Sequence, residues 1–217
     1  IVKRIGILGT GTMGRAVAGR LLEAGTPVCG YDQSAACVQQ AAALGVRMCD
    51  SLAQLAASAD WVIVFLPGPA DIAGSVAGAD GLVARLAKGS VIIDMSTSSP
   101  ANTVAMEAVA RAAGIGYLDA PVLGRPATVG KWSLPVGGEA AVLDEVRPLL
   151  ERIAGTITHI GPSGSGHKVK LLNNLMFAAI NAMTAEMMAV AERVGIEPAK
   201  LYDVITASQA ATVSNLF

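Results

Sequence analysis

The sequence predicts an α/β protein: a doubly wound parallel sheet, followed by the start of an all-helical second domain. Short apolar runs rich in Val and Ile alternate with Ala- and Leu-rich stretches through residue 161. The runs are continuously apolar rather than alternating, which means strands covered on both faces and helices above and below a parallel sheet. At Gly161-Pro162-Ser163-Gly164-Ser165-Gly166 the alternation stops, and a helical pattern with no breaker follows. The expected domains are 1–161 and 162–217.

Expected strands are Ile5–Leu8, Val28–Asp32, Trp61–Leu66, Ser90–Met95 and Tyr117–Ala120. Between them Met13–Ala24, Ala35–Ala43, Leu52–Ala57, Leu82–Ala87 and Ala101–Ala113 are rich in strong helix formers. Trp132–Val136 and Thr156–Ile160 flank a helix near Ala140–Arg152 and are expected to extend the same sheet. The long helix runs from about His167 to Val194, with Gly195 as its stop and Pro198 opening another. It spans roughly 40 Å at 1.5 Å rise per residue, longer than the first domain needs. The second domain has barely begun at Phe217, so the chain reads as a fragment or as a protein completed by another chain.

Hydrophobic residues make up 53% of the chain and charged ones 15%, which excludes disorder and allows a large core. A net charge of −1 gives no electrostatic reason to expect a nucleic acid or an anionic membrane. The most apolar stretch, Leu171 to Val190, carries Asn173, Asn174, Asn181, Thr184 and Glu186, so it is expected as a buried helix rather than a membrane span. The opening Ile-Val-Lys-Arg-Ile reads as a strand, not a signal peptide. Cys29, Cys37 and Cys49 lack metal or CxxC spacing and read as reduced thiols of a cytoplasmic protein. No His, Cys, Asp and Glu cluster has the spacing of a metal site.

The turn Gly9-Thr10-Gly11-Thr12-Met13-Gly14 follows the first strand and opens the first helix, the setting of a Rossmann-type dinucleotide site. Gly9 allows the tight turn, Gly11 lets the backbone approach a pyrophosphate, and Gly14 lets helix and strand pack closely. Asp32 ends the second strand, where a carboxylate accepts hydrogen bonds from the adenosine ribose. A 2′-phosphate would meet it with like charge, and no Arg stands at 33–35, so NAD is expected over NADP.

Four segments, in order, resemble the β-hydroxyacid dehydrogenases, the group of 3-hydroxyisobutyrate dehydrogenase, tartronate semialdehyde reductase and relatives of 6-phosphogluconate dehydrogenase. They are the glycine turn with its Met13-Gly14 ending; Asp94-Met95-Ser96-Thr97 with Pro100; Asp119-Ala120-Pro121-Val122 with Gly124; and Gly164-Ser165-Gly166 with Lys170-Leu171-Leu172-Asn173-Asn174. The resemblance implies that Lys170 is catalytic with Asn174 as its partner. It places Thr97 against the nicotinamide end, Leu66-Pro67 over the cofactor with Gln33 beside Asp32, and Ser96 with Val122-Leu123-Gly124-Arg125 at the substrate. Two departures stand out: Leu123-Gly124-Arg125 replaces a small polar triplet such as Ser-Gly-Gly, and the family's later cofactor-contacting Lys segment is not in this sequence.

The helix pattern supports the same reading from the residues alone. Lys170 and Asn174 are four apart and share a face, Asn181 returns to it, and His167 lies near it, whereas Lys168 points away. Polar residues on one stripe of an apolar helix need partners when buried. A lysine brought toward neutrality by the helix start and by Arg125 could pass a proton to and from a carbonyl oxygen as hydride moves. Arg125 could also clamp a carboxylate, sulfonate or phosphate, or simply be a surface residue. His159, at a strand end, reads as structural, and Trp61 and Trp132 as core or sheet-edge aromatics.

The expected activity is NAD-dependent interconversion of a short 3-hydroxy acid and its semialdehyde by a cytoplasmic homo-oligomer. A reductase of a sulfonated or other small aldehyde is the near alternative, and a non-catalytic NAD(P)-sensing module the distant one. An imine reductase is disfavoured because such enzymes usually lack the lysine.

Overall fold

The computed structural model describes residues 3–208. Eight strands form one sheet: β1 (Ile5–Leu8), β2 (Val28–Tyr31), β3 (Arg47–Met48), β4 (Trp61–Val64), β5 (Val91–Asp94), β6 (Gly116–Asp119), β7 (Trp132–Gly138) and β8 (Ala154–Gly161). Their spatial order is β3-β2-β1-β4-β5-β6-β7-β8. The first six are parallel and reverse direction of winding at β1, which opens a crevice at the carboxyl ends of β1 and β4. The all-parallel expectation fails at β7, which runs antiparallel to β6, with β8 parallel to β7. The connection from β6 to β7 contains only a single 3-10 turn, Pro126–Thr128, and no crossover helix to bring the chain back in parallel.

The helices are α1 (Thr12–Glu23), α2 (Ala35–Ala43), α3 (Leu52–Ser58), α4 (Pro69–Ala77), α5 (Pro100–Ala112), α6 (Ala140–Leu150), α7 (Ser165–Arg193) and α8 (Pro198–Ala207). Both faces of the sheet are covered. Ile7, Leu21, Ile63 and Leu118 belong to one apolar cluster; Leu55, Val62, Ile72 and Ile92 belong to the other. β1, β4 and β5 are buried along their whole length, which is why their sequences carry no polar alternation.

The expected helix at Leu82–Ala87 is not formed. Leu82 and Leu86 are buried at helical spacing, but only one turn closes, Leu86 N–H to Leu82 C=O at 2.8 Å, before Lys88-Gly89. α4 forms instead, capped by Gly68 with Pro69 in its first turn.

The chain divides into two compact units, Ile1–Lys170 and Leu171–Phe217. Within the second, the expectation of a buried helix is corrected. Leu172, Leu175, Phe177 and Met183 of α7 are exposed. Among the described residues that unit holds α7 and α8, and two helices cannot enclose an apolar surface between them. By length and composition α7 is apolar enough to cross a membrane.

Candidate active site

A groove crosses the carboxyl ends of the parallel strands in the first unit, built from two adjoining cavities of about 730 Å³ and 420 Å³. Gly11 and Phe65-Leu66-Pro67 line both and form the waist between them. Gly9, Asp32 and Gln33 line the larger cavity; Thr12, Met13, Gly14, Ser96, Thr97, Val122, Gly124 and Lys170 line the smaller. Most residues singled out in the sequence therefore converge, although they come from the ends of five strands and the start of α7.

The glycine turn is dictated by sterics. Gly9 has φ +88°, and a Cβ there would lie 2.0 Å from the Phe65 carbonyl oxygen; one on Gly14 would lie 2.0 Å from the Gly9 carbonyl oxygen. At Gly11 a Cβ would meet nothing within 4 Å, because that position opens onto the groove. No side chain caps α1, so its first N–H groups are free to meet an anion. Thr10 is buried rather than in the groove. Its N–H donates to Asp32 Oδ2 at 2.7 Å, while Ser34 N–H donates to Asp32 Oδ1 at 2.8 Å. Asp32 thus caps its own turn; the Thr10 hydroxyl also donates to Oδ2 at 3.4 Å, so it is Oδ1 that keeps a lone pair for another donor.

At the other end, Lys170 Nζ donates to Val122 C=O at 2.7 Å, leaving two protons for a ligand. Burial pushes its ammonium below the usual lysine range. The expected contribution of Arg125 is absent: burial is the whole cause, Arg125 is exposed, and it does not line the cavity. Arg125 instead works through its backbone, its C=O accepting Trp132 Nε1–H at 2.8 Å. Leu123 is likewise outside the lining, paired to Ser133 by two backbone hydrogen bonds. Gly124 packs on the Trp132 ring so closely that a Cβ would lie 2.2 Å from Trp132 Cδ1. The Ser96 hydroxyl accepts Leu66 N–H at 2.9 Å and so ties two cavity walls together. Asn174 lies in the second unit, one turn beyond Lys170 in the helix.

Sequence reasoning missed a layer of buried polar groups beneath this cavity. Asp119, fully buried at the end of β6, accepts Gly164 N–H at 2.8 Å and His167 N–H at 2.9 Å, capping α7 from another element. Burial raises its carboxyl above the usual value, against those two donors. Asp94 accepts Ser96 N–H at 3.0 Å and the Tyr117 hydroxyl at 2.8 Å. The available signal was an Asp closing each of two wholly apolar strands, since a buried carboxylate requires donors. His159 lies inside β8, two residues from its end, with Nε2 2.8 Å from Gly138 C=O. Trp61 and Trp132 are both buried. Among the described residues no group of His, Cys, Asp and Glu is placed to hold a metal.

Residues 4–161 match the NAD binding domain of 6-phosphogluconate dehydrogenase, and residues 164–216 the NAD-binding region of NADP-dependent 3-hydroxyisobutyrate dehydrogenase. The chain belongs to the β-hydroxyacid dehydrogenase family. Its similarity to 2-(hydroxymethyl)glutarate dehydrogenase of Eubacterium barkeri is 34% identity over 204 residues, 93% of this chain and 68% of that protein. With 3-hydroxyisobutyrate dehydrogenase of Pseudomonas aeruginosa it is 36% over 206 residues, 94% of this chain and 69% of the relative. A solved structure of Mycobacterium tuberculosis 3-hydroxyisobutyrate dehydrogenase with L-serine superposes with a TM-score of 0.87 at 33% identity, over 98% of this chain and 72% of that one. As a β-hydroxyacid dehydrogenase the chain is an oxidoreductase whose Rossmann-type domain binds NAD. The fit is visible in its own residues: an uncapped helix start, a glycine open to the groove, and at the far end a carboxylate whose Oδ1 can take a further donor.

Proposed function

We propose that this enzyme interconverts a short 3-hydroxy acid and its semialdehyde with NAD, using Lys170 as general acid/base. The observation that carries this is a half-buried lysine in the smaller cavity, tethered by one hydrogen bond and pushed toward neutrality by burial. The Gly9–Gly14 turn would hold the pyrophosphate and Asp32 the ribose hydroxyls. When bound, NAD supplies the two-electron acceptor or donor. For oxidation, neutral Lys170 takes the proton of the alcohol; for reduction, the ammonium returns it to the carbonyl oxygen. Val122 C=O keeps Nζ within the cavity in both states, and Thr97, with Val122 and Gly124, bounds the space left for a three- or four-carbon substrate.

NAD over NADP is supported by Asp32, whose two oxygens already face N–H donors and would meet a 2′-phosphate with like charge. The L-serine in the Mycobacterium tuberculosis structure supports a small β-hydroxy acid. Asn174 as the partner of Lys170, and Ser96 at the substrate, belong to the same proposal. So does a cytoplasmic homo-oligomer, supported by three free thiols and by the exposed apolar residues of α7, and tested by the solution mass of the full chain.

Lys170→Ala is expected to lower kcat by about 10²- to 10⁴-fold, the usual worth of a positioned acid/base. NADH affinity, followed by fluorescence, stays unchanged. A variant that keeps most of its turnover with 3-hydroxyisobutyrate, serine and tartronate semialdehyde overturns the assignment.

A further inference from the structure

His167 sits in the first turn of α7, three residues before Lys170, and is fully buried. Its Nε2 lies 3.0 Å from the Ser96 carbonyl oxygen and its Nδ1 2.7 Å from the Thr103 hydroxyl. A carbonyl oxygen only accepts, so Nε2 carries the ring proton and donates it. In the neutral ring Nδ1 is then bare, and Thr103 donates to it. The single Thr103 proton has another acceptor, Ser99 C=O at 3.1 Å, but the contact to Nδ1 is the shorter.

His167 does not line the cavity and has no bond to Lys170. Its bonds go to the frame instead. Ser96 precedes Thr97 in the cavity wall, and its hydroxyl holds Leu66 by the N–H. The His167 N–H is anchored separately on Asp119 Oδ2 at 2.9 Å. One side chain therefore joins the start of the helix that carries Lys170 to the strand-end segment that carries Ser96 and Thr97.

We propose that His167 is a positioning residue, fixing the spacing between Lys170 and the Ser96–Thr97 wall through its Nε2–H bond to the Ser96 carbonyl. This rests on Lys170 being the acid/base. Displacing a catalytic group by about 1 Å costs on the order of 10²-fold in rate, so a buried latch one helical turn away has a kinetic signature.

The test compares His167→Leu, His167→Gln and Lys170→Ala, singly and combined, in the full chain. His167→Leu is expected to lower kcat about 10- to 100-fold with KM and NADH affinity within about twofold. Gln places an amide N–H at the reach of Nε2 and is expected to restore kcat to within about threefold. Added to Lys170→Ala, His167→Leu should cost little more, because the latch acts through the lysine. Parent-like kcat in His167→Leu, or a loss that adds fully to that of Lys170→Ala, overturns the latch and leaves the lysine assignment standing. Turnover retained in Lys170→Ala overturns the assignment and the latch with it. If His167→Leu does not fold, Thr103→Val is measured instead; it removes only the donor to Nδ1, and a severalfold lower kcat at unchanged KM is expected, against parent-like kcat if the latch is wrong. Selective ¹⁵N labelling of histidine gives a readout independent of turnover: a proton on Nε2 is expected for His167, whether or not Nδ1, 3.8 Å from Asp119 Oδ2, carries one as well, and a ring protonated at Nδ1 alone excludes the bond to Ser96.

Discussion

The glycine-turn end of the groove and the Lys170 end are built by different means. The first is backbone geometry: two glycines that tolerate no Cβ, a bare helix start, and one carboxylate wired to N–H groups two and twenty-two residues away. The second is a convergence of side chains and carbonyls from Ser96, Thr97, Val122 and Lys170, stabilised from below by Asp94, Asp119 and His167. The difference teaches where a binding site can be rigid at little cost. A turn of six residues specifies its own shape, whereas a proton-transfer site needs a buried polar frame before its lysine has a fixed address.

The contrast breaks first at the turn. Gly9→Ala forces an L residue to φ +88° and a Cβ against Phe65 C=O, so NADH binding in a fluorescence titration should be lost. Backbone strain of about 1–3 kcal/mol should appear as a lower denaturant midpoint. Retained binding would mean that the turn is not rigid. Asp32→Ala acts at the same end without strain. The NAD-over-NADP ratio of kcat/KM should fall roughly 10- to 100-fold, as for a loss of about 1.5–3 kcal/mol in hydrogen bonds to a charged group; an unchanged ratio would locate cofactor choice elsewhere.

The Lys170 end should show itself in pH rather than in affinity. Its folded-state pKa lies below the ordinary lysine value of 10.5, so kcat/KM for alcohol oxidation should rise with pH to a plateau whose midpoint falls below that value. Reduction, which needs the ammonium, should decline over the same interval. A midpoint at or above 10.5, or a profile surviving in Lys170→Ala, would detach the profile from this residue. The smallest effect is expected at Arg125. Exposed and outside the cavity lining, its replacement by Ala should alter KM for acidic and neutral substrates by less than about twofold, as befits a solvent-screened charge. A selective rise for acidic substrates would restore the clamp suggested by sequence.

Legibility followed the same division. The turn, Asp32 and the buried strands were readable because each is coded within a few consecutive residues. β3 was missed because Arg47–Met48 is two residues long and carries no period. α4 was missed because Gly68, Pro69 and Gly74 look like loop residues, although Pro suits a first helical turn. The antiparallel β7 depends on how the chain travels after β6, which apolar content does not record. At the site, Lys170 stood out on its helix, but its link to Val122 and the partners of Asp119 and His167 join positions 45 to 71 residues apart. No local pattern announces such pairings.

The Trp132 indole, stacked under Gly124 and bonded to the Arg125 carbonyl, gives the molecule an optical property. The chain has two tryptophans, and the other, Trp61, has a buried Nε1 with no hydrogen-bond partner. One indole is thus hydrogen-bonded at the rim of the smaller cavity, and the other is a spectator at the amino end of β4. Their emission should differ in wavelength, and a ligand that shifts the Val122–Arg125 loop should perturb the first and spare the second. Substrate arrival can then be watched in unlabelled protein, one fluorophore signalling and the other serving as its internal reference.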